Sequence, residues 1–370
     1  MHRGQAGSRG AGDRAPASRE EPSMTTLVPP AGQQNTARRV VIPTGLPRPE
    51  RGPVHTPEQV RAHAYLAACF GRTGVAPFLA ASDVSVVEVL DGWGAAAHLQ
   101  RGRWAVVAGD VIAPSGLAET ALDQYLHQLR RLRLRPAFVA LADPEPLRAR
   151  GFAVSQIADE ALIDLSDFSL DGRPRAGIRH AVASARRLGL RVRPYHADDA
   201  PQLARISHDW LRTKRGGEMG FTLSRHEDVA DQLADGATDL WSVAGPDGTV
   251  WAWCTWRHYR NGDARVIDVM RRRPDAPNPA MDFLLASALE HYRDSGVVLA
   301  SLASVPRAHG ELGERVYPTR SLRAYKQKFA PRWEPRWLAI PHRWQEPFAQ
   351  VAIARAYCPA GLRRALRRNG

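Results

Sequence analysis

Apolar residues recur along residues 56–340 in two rhythms, every third or fourth residue and every second residue, which predict alternating helices and strands. The first helix begins after Thr56, because Thr56, Pro57 and Gln59 form the pattern of a capping box with proline in the first turn. Predicted helices cover residues 57–70, 117–131, 145–150, 174–188, 197–213, 280–292 and 322–329. Predicted strands cover residues 85–90, 94–99, 104–108, 136–141, 154–165, 190–194, 239–244, 249–257, 264–270, 297–300 and 333–340.

The same order of helices and strands occurs twice, which predicts an internally duplicated α/β protein with mixed sheets. We expect a first domain over residues 56–172 and a second, catalytic domain over residues 173–345. Residues 1–55 are rich in Gly, Pro, Arg, Ser and Gln without apolar periodicity, which predicts a disordered basic segment within which Met24 is an alternative start.

Residues 346–370 form a predicted basic tail at the end of the chain. In it Leu362, Ala365 and Leu366 alternate with Arg363, Arg364, Arg367 and Arg368. This pattern is typical of a short amphipathic helix on an anionic surface, and an ordinary solvated terminal helix explains it equally well.

Charge and cysteine content narrow the class of protein. The net charge is +13 and the sequence pI is about 10.4, which is typical of proteins that bind nucleic acid, an anionic membrane surface or a phosphorylated substrate. An arginine-rich genome produces the same excess, so charge alone decides little. The three cysteines, Cys69, Cys254 and Cys358, are far apart, which favours a reducing compartment and argues against a zinc site. With no apolar run of about 18 residues and no signal-like start, we expect a cytoplasmic protein.

The stretch from Ala264 to Leu285 concentrates the candidate chemistry. A buried strand carries Asp268 and Arg271 at or near its carboxyl end, and the prolines Pro277 and Pro279 then open a helix. Ligands of α/β folds tend to bind at the carboxyl ends of strands. A purely structural ion pair between Asp268 and Arg271 is at least as good an explanation at this point.

The arrangement of elements resembles the GCN5-related acetyltransferase fold. In that fold a glycine-rich turn after the fourth strand holds the pyrophosphate of acetyl-CoA at a helix amino terminus. The corresponding turn here, residues 273–280, contains three prolines and no glycine. Proline lacks the backbone N–H that would bind phosphate, and side chains block its close approach. We therefore expect an acyl donor other than a CoA thioester.

Several motifs resemble, in order, those of the phosphatidylglycerol lysyltransferase catalytic domain. They are Asp164–Gly172 with Ile178–His180, Glu218–Leu223, Asp268–Arg271, Pro274–Asn278, Met281–Leu284 and Leu322–Trp337. The resemblance implies two tandem acetyltransferase-like domains and transfer of an amino acid from aminoacyl-tRNA. The sequence also resembles the seryl-tRNA-dependent transferase of azoxy-antibiotic biosynthesis, a standalone relative with a small hydroxylamine acceptor.

The resemblance implies a reaction without cofactor or metal, because the tRNA ester is already activated. Asp268 is the candidate ammonium ligand or general base, and Arg271 orients it or faces the developing charge. Lys326 is the third candidate catalytic residue. Candidate substrate-binding residues are Glu218, Asp282, Arg323 and Lys328; candidate tRNA contacts are Arg179, Arg186 and Arg187. Without the family, a solvated helix surface is the better explanation of Lys326 and Lys328.

Three functions remain open from the sequence. The first is transfer of an aminoacyl group from tRNA to a soluble small hydroxyl or hydroxylamine metabolite in antibiotic biosynthesis. The second is the same transfer to phosphatidylglycerol, with peripheral membrane contact through the basic tail. The third is a non-catalytic RNA-binding module. The membrane half usual in the family has no counterpart in these residues, so we favour the soluble acceptor slightly.

Overall fold

A computed structural model describes residues 56–81, 83–213, 220–222, 224, 229–234, 236–307 and 319–358. The predicted disordered segment 1–55 with Met24, the candidate Glu218 and residues 359–370 of the predicted tail lie outside these ranges. The described helices are α1 (Pro57–Phe70), α2 (Ala118–Arg131), α3 (Glu145–Ala149), α4 (Ala176–Arg187), α5 (Ala200–Arg212), α6 (Val229–Ala234), α7 (Ala280–Asp294), α8 (Thr319–Gln327) and α9 (Glu346–Tyr357).

The described strands form one continuous mixed sheet. They are β1 (Ser85–Val89), β2 (Gly94–Arg101), β3 (Trp104–Ala108), β4 (Arg135–Leu141), β5 (Ala153–Asp164), β6 (Arg191–Pro194), β7 (Thr238–Ala244), β8 (Val250–Tyr259), β9 (Ala264–Arg272), β10 (Leu299–Pro306) and β11 (Arg332–Ile340). Their order across the sheet is β1-β2-β3-β4-β11-β5-β10-β9-β8-β7-β6.

The sheet order shows that the two halves exchange their last strands. In the first half, β3 pairs in parallel with β4 across the helix α2; in the second, β9 pairs in parallel with β10 across α7. The strand that follows β4, β5, pairs with β10, and the strand that follows β10, β11, pairs with β4. Each half thus repeats the same pattern of strand pairings, as an internal duplication predicts. The predicted fold class, a duplicated α/β protein with mixed sheets, is confirmed, while the predicted boundary between two domains stays a prediction.

A shared irregularity supports the duplication. The register of β4 against β11 shifts between Phe138 and Leu141, and that of β10 against β5 shifts between Ser301 and Ser304. Within each bulge lies an alanine with a positive φ, Ala140 at 64° and Ala303 at 62°. A positive φ is energetically unfavourable for an alanine. Because it occurs at the matching place in both halves, the surrounding fold stabilises a bulge at this position.

Helices cover both faces of the sheet, as the alternation along its strands requires. On β3, Ala105 and Val107 pack with α2, whereas Val106 packs in the cluster that contains α1 and α9. On β8, Cys254 packs with α4 and α7, whereas Trp253 packs with α5. The central strands β3 and β8 are therefore covered by helices on both faces.

Local structure follows the sequence signals, with some corrections. The capping box at Thr56 is confirmed, since Gln59 N donates to Thr56 Oγ1 and Thr56 N donates to Gln59 Oε1. The strand β9 runs two residues beyond the predicted end at Met270, so Asp268 lies in its middle. Residues 346–357 of the predicted tail form α9, whose face with Ala349, Ala352, Ile353 and Ala356 is buried in the core.

Candidate active site

A gap opens between the parallel strands β9 and β10 towards their carboxyl ends. The two strands pair only from Ala264 to Val266 and from Leu299 to Ser301. Beyond this point β9 continues to Arg272 and β10 continues to Pro306 without pairing to each other. Asp268 on one strand and Ala303 on the other lie two residues beyond the last pair, about 7 Å along each strand. Ligands of open α/β sheets bind at the carboxyl ends of strands, so this gap is a candidate position for a substrate.

A β-bulge turns Asp268 towards this gap. The register between β8 and β9 shifts so that Asp268 and Val269 together face Thr255. The Thr255 hydroxyl accepts a hydrogen bond from Val269 N at 3.0 Å and so replaces the missing ladder partner. A bulge of this kind places two consecutive side chains on one face of a strand. Without it, the period of two would put Asp268 and Val269 on opposite faces.

One carboxylate oxygen of Asp268 accepts a hydrogen bond, and the other does not. Its Oδ1 accepts a hydrogen bond from Ser224 N at 2.9 Å. Its Oδ2 is buried and has no hydrogen-bond partner among the described residues. Burial raises the pKa of Asp268 above its ordinary value, while the charges of Arg257 and Arg271 and the Ser224 contact oppose that rise. A carboxylate oxygen buried without a donor is an acceptor prepared for a cation or another donor.

Arg257 is the main cation near Asp268, and it is not among the residues predicted from the sequence. It is buried within the tryptophan-rich strand β8. Its Nη2 donates to Pro77 O at 3.1 Å and its Nη1 donates to Ser224 Oγ at 3.4 Å, while Gln232 Nε2 donates to the same hydroxyl at 2.8 Å. Ser224 is thereby fixed between Arg257 and Gln232, and its backbone N–H is aimed at Asp268.

Arg271 lies under an aromatic ring. Its guanidinium carbon is 3.9 Å from the ring centroid of Trp210 on α5, and its Nη1 donates to Met270 O at 3.1 Å. Arg271 is buried, and its charge favours the ionised form of Asp268. The structure thus places the predicted pair Asp268 and Arg271 in one electrostatic environment, with Arg271 held by Trp210.

Lys326 comes from the other side of the gap. It is buried at 4% exposure, and its Nζ donates to Ala303 O at 2.9 Å and Ser304 O at 3.2 Å. Burial lowers its pKa to about 7, although the charge of Glu160 acts the other way. A neutral amine has two N–H donors and a lone pair, so two carbonyl contacts leave the lone pair available. The explanation of Lys326 as a solvated helix residue is therefore wrong.

A buried ionic cluster forms the floor behind Lys326. Glu160 and Arg336 are both buried, and the Arg336 Nε donates to Glu160 Oε2. The other Glu160 oxygen accepts from the Ser301 hydroxyl, which in turn accepts from Ala303 N at 3.0 Å. The bulge at Ala303 is thus held through its N–H by Ser301 and through its carbonyl by Lys326. Gly74 closes the floor, since a Cβ there would lie 2.7 Å from Glu160 Oε1 and 2.9 Å from Val266 Cγ2.

Asp282 and Lys328 occupy the amino end of α7. The Lys328 Nζ donates to Asp282 Oδ2, and it lies 5.0 Å from the ring centroid of Tyr325. Asp282 is in the first turn of α7, whose preceding residue Pro279 offers no side-chain cap. A carboxylate in the first turn complements the positive end of the helix. An anionic ligand at this helix end would have to displace Asp282 or meet its charge.

The remaining predicted residues are Arg323, one turn before Lys326 on α8, and the arginines of α4. Arg323 donates to Asp159 Oδ2 at 2.9 Å and lies 4.0 Å from the Trp333 ring centroid. Arg179 donates to the carbonyls of Leu170 and Gly172 and so ties the linker after β5 to α4. Arg186 and Arg187 are exposed at the carboxyl end of α4. Their roles in binding substrate or tRNA stay predictions.

A cavity of about 360 Å³ opens at the opposite end of β9, lined by Asp239, Trp241, Arg265, His291 and Tyr292 among others. Its lining holds two carboxylates, Asp239 and Asp263, and Asp239 already accepts from His258 Nε2 at 2.9 Å and Arg265 Nε at 3.1 Å. We place the candidate site in the β9–β10 gap instead, because the unsatisfied carboxylate oxygen and the amine of lowered pKa flank that gap.

The missed residues share a signal that a sequence can show. Arg257 is the one arginine, lysine or carboxylate in the largely apolar strand β8, Glu160 follows Asp159 within the strand β5, and Arg336 stands in the Leu322–Trp337 motif. A charge inside a predicted buried strand requires a partner, so each of these positions predicts a buried ion pair or a site. Which partner each one meets depends on the strand order.

Comparison with known proteins identifies the family of this chain. A sequence model of the family described as phosphatidylglycerol lysyltransferase, C-terminal, matches residues 71–340. The chain belongs to this family. Phosphatidylglycerol lysyltransferases of Staphylococcus haemolyticus and Bacillus subtilis are each 28% identical to it, over 261 and 267 residues. Each alignment covers 64% of this chain and 30% of the relative, so the chain spans about 30% of the length of these family members.

Solved structures of the family share the fold. A domain described as the C-terminal domain of a lysylphosphatidylglycerol synthetase from Agrobacterium fabrum has a TM-score of 0.73 at 24% identity and covers 82% of this chain and 98% of its own. L-PGS from Bacillus licheniformis has a TM-score of 0.72 at 20% identity and covers 83% and 98%. A structure described as that of FemX shares the fold as well, with a TM-score of 0.56 at 10% identity, and its match covers 80% of this chain and 98% of its own. None of the described helices has the length and apolar character needed to cross a bilayer.

Proposed function

We propose that this member of the family is an aminoacyltransferase that moves an aminoacyl group from charged tRNA to a head-group hydroxyl of phosphatidylglycerol. The observation that carries the proposal is the buried, unsatisfied Oδ2 of Asp268 beside the gap between β9 and β10. The ammonium group of an aminoacyl ester is a charged N–H donor that suits such an oxygen.

The choice of acceptor changes with the comparisons. The sequence favoured a small soluble metabolite slightly, whereas the relatives are named for phosphatidylglycerol, which favours the lipid alternative. No finding supports a place in antibiotic biosynthesis, so that part of the expectation is not carried further. The lipid acceptor also suits a chain with net charge +13, because phosphatidylglycerol membranes are anionic.

The amino end of α7 indicates which kind of acyl donor the site can take. In the acetyltransferase fold that the sequence resembles, a pyrophosphate binds at this helix end, whereas here Asp282 with Lys328 takes the position and Pro279 precedes the helix. Asp282 repels a phosphate, and Pro279 has no N–H to offer it. The donor ester therefore enters without a CoA pyrophosphate at this position, as an aminoacyl-tRNA terminus does.

The side chains around the gap suggest the following steps for the transfer. Asp268 binds the ammonium group, and Arg271 and Arg257 keep its carboxylate ionised against the effect of burial. The acceptor hydroxyl oxygen attacks the ester carbonyl carbon while its proton passes to the lone pair of neutral Lys326. The bond from the carbonyl carbon to the tRNA ribose oxygen then breaks, and that oxygen takes the proton from Lys326. No metal and no cofactor enters these steps.

The direct experiment supplies aminoacyl-tRNA labelled on the amino acid to purified protein with vesicles. Vesicles of phosphatidylglycerol with phosphatidylcholine and vesicles of phosphatidylcholine alone are compared, and extracted lipid is separated by thin-layer chromatography. Lysyl-, alanyl- and seryl-tRNA are each tested. We expect label in phosphatidylglycerol only. Label in a water-soluble acceptor from a cell extract, with none in lipid, would restore the soluble alternative, and turnover of acetyl-CoA would contradict the donor.

Asp268→Asn tests the site within this assay. The amide keeps the shape and the acceptor for Ser224 N but loses the charge, so kcat/KM should fall by about 10²- to 10³-fold, as for a lost electrostatic contact in a site. Asp263→Asn, an exposed carboxylate in the turn before the same strand, is the matched control and should keep its rate. If Asp268→Asn folds normally and keeps its rate within threefold, Asp268 does not bind the donor.

A further inference from the structure

An exposed apolar face lies on the helix α9, opposite its packed face. The side chains of Trp344, Phe348 and Val351 are 65%, 61% and 46% exposed, and Pro347 beside them is exposed as well. Their spacing of three or four residues places them along one side of the turn Arg343–Gln345 and of α9. We call these four residues the α9 patch. Single exposed apolar residues are common on proteins, whereas a contiguous group with two aromatic rings marks a surface that binds.

The charges around the α9 patch are positive. Arg343 and Arg355 are exposed on either side of it along the chain, and Arg101 on β2 donates to Arg355 O at 3.3 Å. Between His342 and Cys358 the sequence holds one acidic residue, Glu346, and it is turned towards Ser155, whose hydroxyl donates to it at 3.4 Å. An apolar strip bordered by arginines is complementary to a surface with an apolar interior and anionic head groups.

This combination distinguishes a bilayer from other occupants. Indole and phenyl rings settle at the boundary between acyl chains and head groups, and arginine beside them binds anionic lipid. An RNA would use the arginines and leave Pro347 and Val351 without a role. A second copy of the chain would need about 800 Å² on each side for a stable dimer. The four side chains offer on the order of 400 Å², given that a buried aromatic contributes about 150–250 Å².

The α9 patch is connected to the candidate site by a short path. At the carboxyl end of α9, Tyr357 O accepts from Gly220 N at 3.1 Å, and the Tyr357 ring meets the Phe221 ring edge-on with centroids 5.2 Å apart. Thr222 Oγ1 donates to the Tyr357 hydroxyl at 3.2 Å, and two residues on Ser224 N donates to Asp268. Phe348 and Tyr357 are about 13 Å apart along the helix. A surface seated on α9 would therefore be fixed relative to Asp268.

We propose that Trp344, Pro347, Phe348 and Val351 form a peripheral docking face that inserts into the head-group boundary of an anionic phospholipid bilayer. The role of this face in presenting the lipid acceptor rests on the proposed function, whereas the docking itself does not. Insertion of the two rings supplies the apolar part of the affinity, and Arg343, Arg355 and Arg101 supply the dependence on anionic lipid.

The experiment measures binding of the full chain to vesicles by co-sedimentation. The variant Trp344→Ser with Phe348→Ser is compared with wild type on vesicles of equal phosphatidylglycerol and phosphatidylcholine and on phosphatidylcholine alone. The matched control is Leu188→Ser with Val298→Ser, two apolar side chains that are each 51% exposed elsewhere. We expect the partition coefficient on anionic vesicles to fall at least tenfold in the patch variant and less than twofold in the control, and wild type to prefer anionic vesicles.

Three outcomes would overturn the proposal. They are binding of the patch variant within twofold of wild type, equal binding of wild type to both vesicle types, and self-association of wild type that the patch variant abolishes, which would assign the face to a second copy. Activity separates this proposal from the proposed function. With phosphatidylglycerol dispersed in detergent, the patch variant should keep the wild-type rate, while on vesicles its rate should fall with its binding. Binding without any transfer would leave the docking face in place and contradict only the function.

Discussion

Replacing Lys326 by methionine removes the amine while keeping a side chain of similar length in the same buried position. The pKa of Lys326 falls from an ordinary value of 10.5 to about 7, which corresponds to a cost on the order of 5 kcal/mol for holding the charged form in place. At neutral pH a large share of the amines is therefore uncharged, with N–H bonds to Ala303 O and Ser304 O and a free lone pair.

We expect Lys326→Met to lower kcat by about 10²- to 10⁴-fold, the usual contribution of a general base, or roughly 2.7–5.4 kcal/mol of barrier. The wild-type rate should rise with pH through about 7 as the neutral amine accumulates. The residual rate of the variant should not show this rise. The assay is aminoacyl transfer to phosphatidylglycerol vesicles between pH 6 and 8. Asp263→Asn, the exposed carboxylate in the turn before β9, is the control and should keep both the rate and its rise with pH.

Stability gives a second readout of the same pKa. Between pH 7 and pH 9 the unfolded chain holds a proton on Lys326 that the folded chain has released, so the free energy of unfolding of wild type should rise with pH relative to Lys326→Met. The expected gain is roughly 2 kcal/mol across this window, measured by urea unfolding. A folded Lys326→Met variant whose transfer rate stays within threefold of wild type would refute the assignment of Lys326 as general base. So would a variant whose rate still rises with pH near 7.

Two further predictions concern the floor of the gap. Glu160→Gln removes the buried carboxylate that pairs with Arg336 and leaves the half-buried Glu334 as the remaining carboxylate on that guanidinium. It should lower the free energy of unfolding by about 3–5 kcal/mol, with part of the loss recovered when Arg336→Met is added. Urea unfolding of both variants measures this, and a loss below about 1 kcal/mol for the single change would contradict a stabilising buried ion pair. Gly74→Ala places a Cβ against Glu160 and Val266 and should cost about 1–3 kcal/mol and lower the transfer rate, whereas Gly116→Ala, where a Cβ meets nothing within 4 Å, should do neither.

The α9 patch and the candidate site use different physical signals, which explains why the sequence indicated them unequally. A basic amphipathic pattern at residues 346–370 pointed to a surface helix, but the arginines and leucines that carried it lie in residues 362–368, outside the described residues. The apolar residues 348–356 were open to either a packed or an exposed face. Only contacts with the first-half strands decide that Ala349 and Ile353 are buried and Phe348 is not.

The sequence by itself determined the elements, because their causes are local. The capping box at Thr56, the apolar run of β3 and the helical spacing of apolar residues in α7 follow from neighbours in the chain. The structure has each of these elements within two residues of its predicted bounds. Repetition of the same order of elements likewise predicted the duplication, and the family motifs named Asp268, Arg271 and Lys326 as one group.

Only the tertiary structure decided what those residues meet. The exchange of β5 and β11 brings Glu160 against Arg336, residues 176 positions apart, and no local pattern encodes that register. The bulges at Asp268 and Ala303 break the period of two that a sequence argument assumes, so the side on which Asp268 points was decided by pairing with β8. Likewise, Lys326 becomes an amine with a lowered pKa only because the folded chain buries it, and burial is a property of the whole packed sheet rather than of its neighbours in sequence.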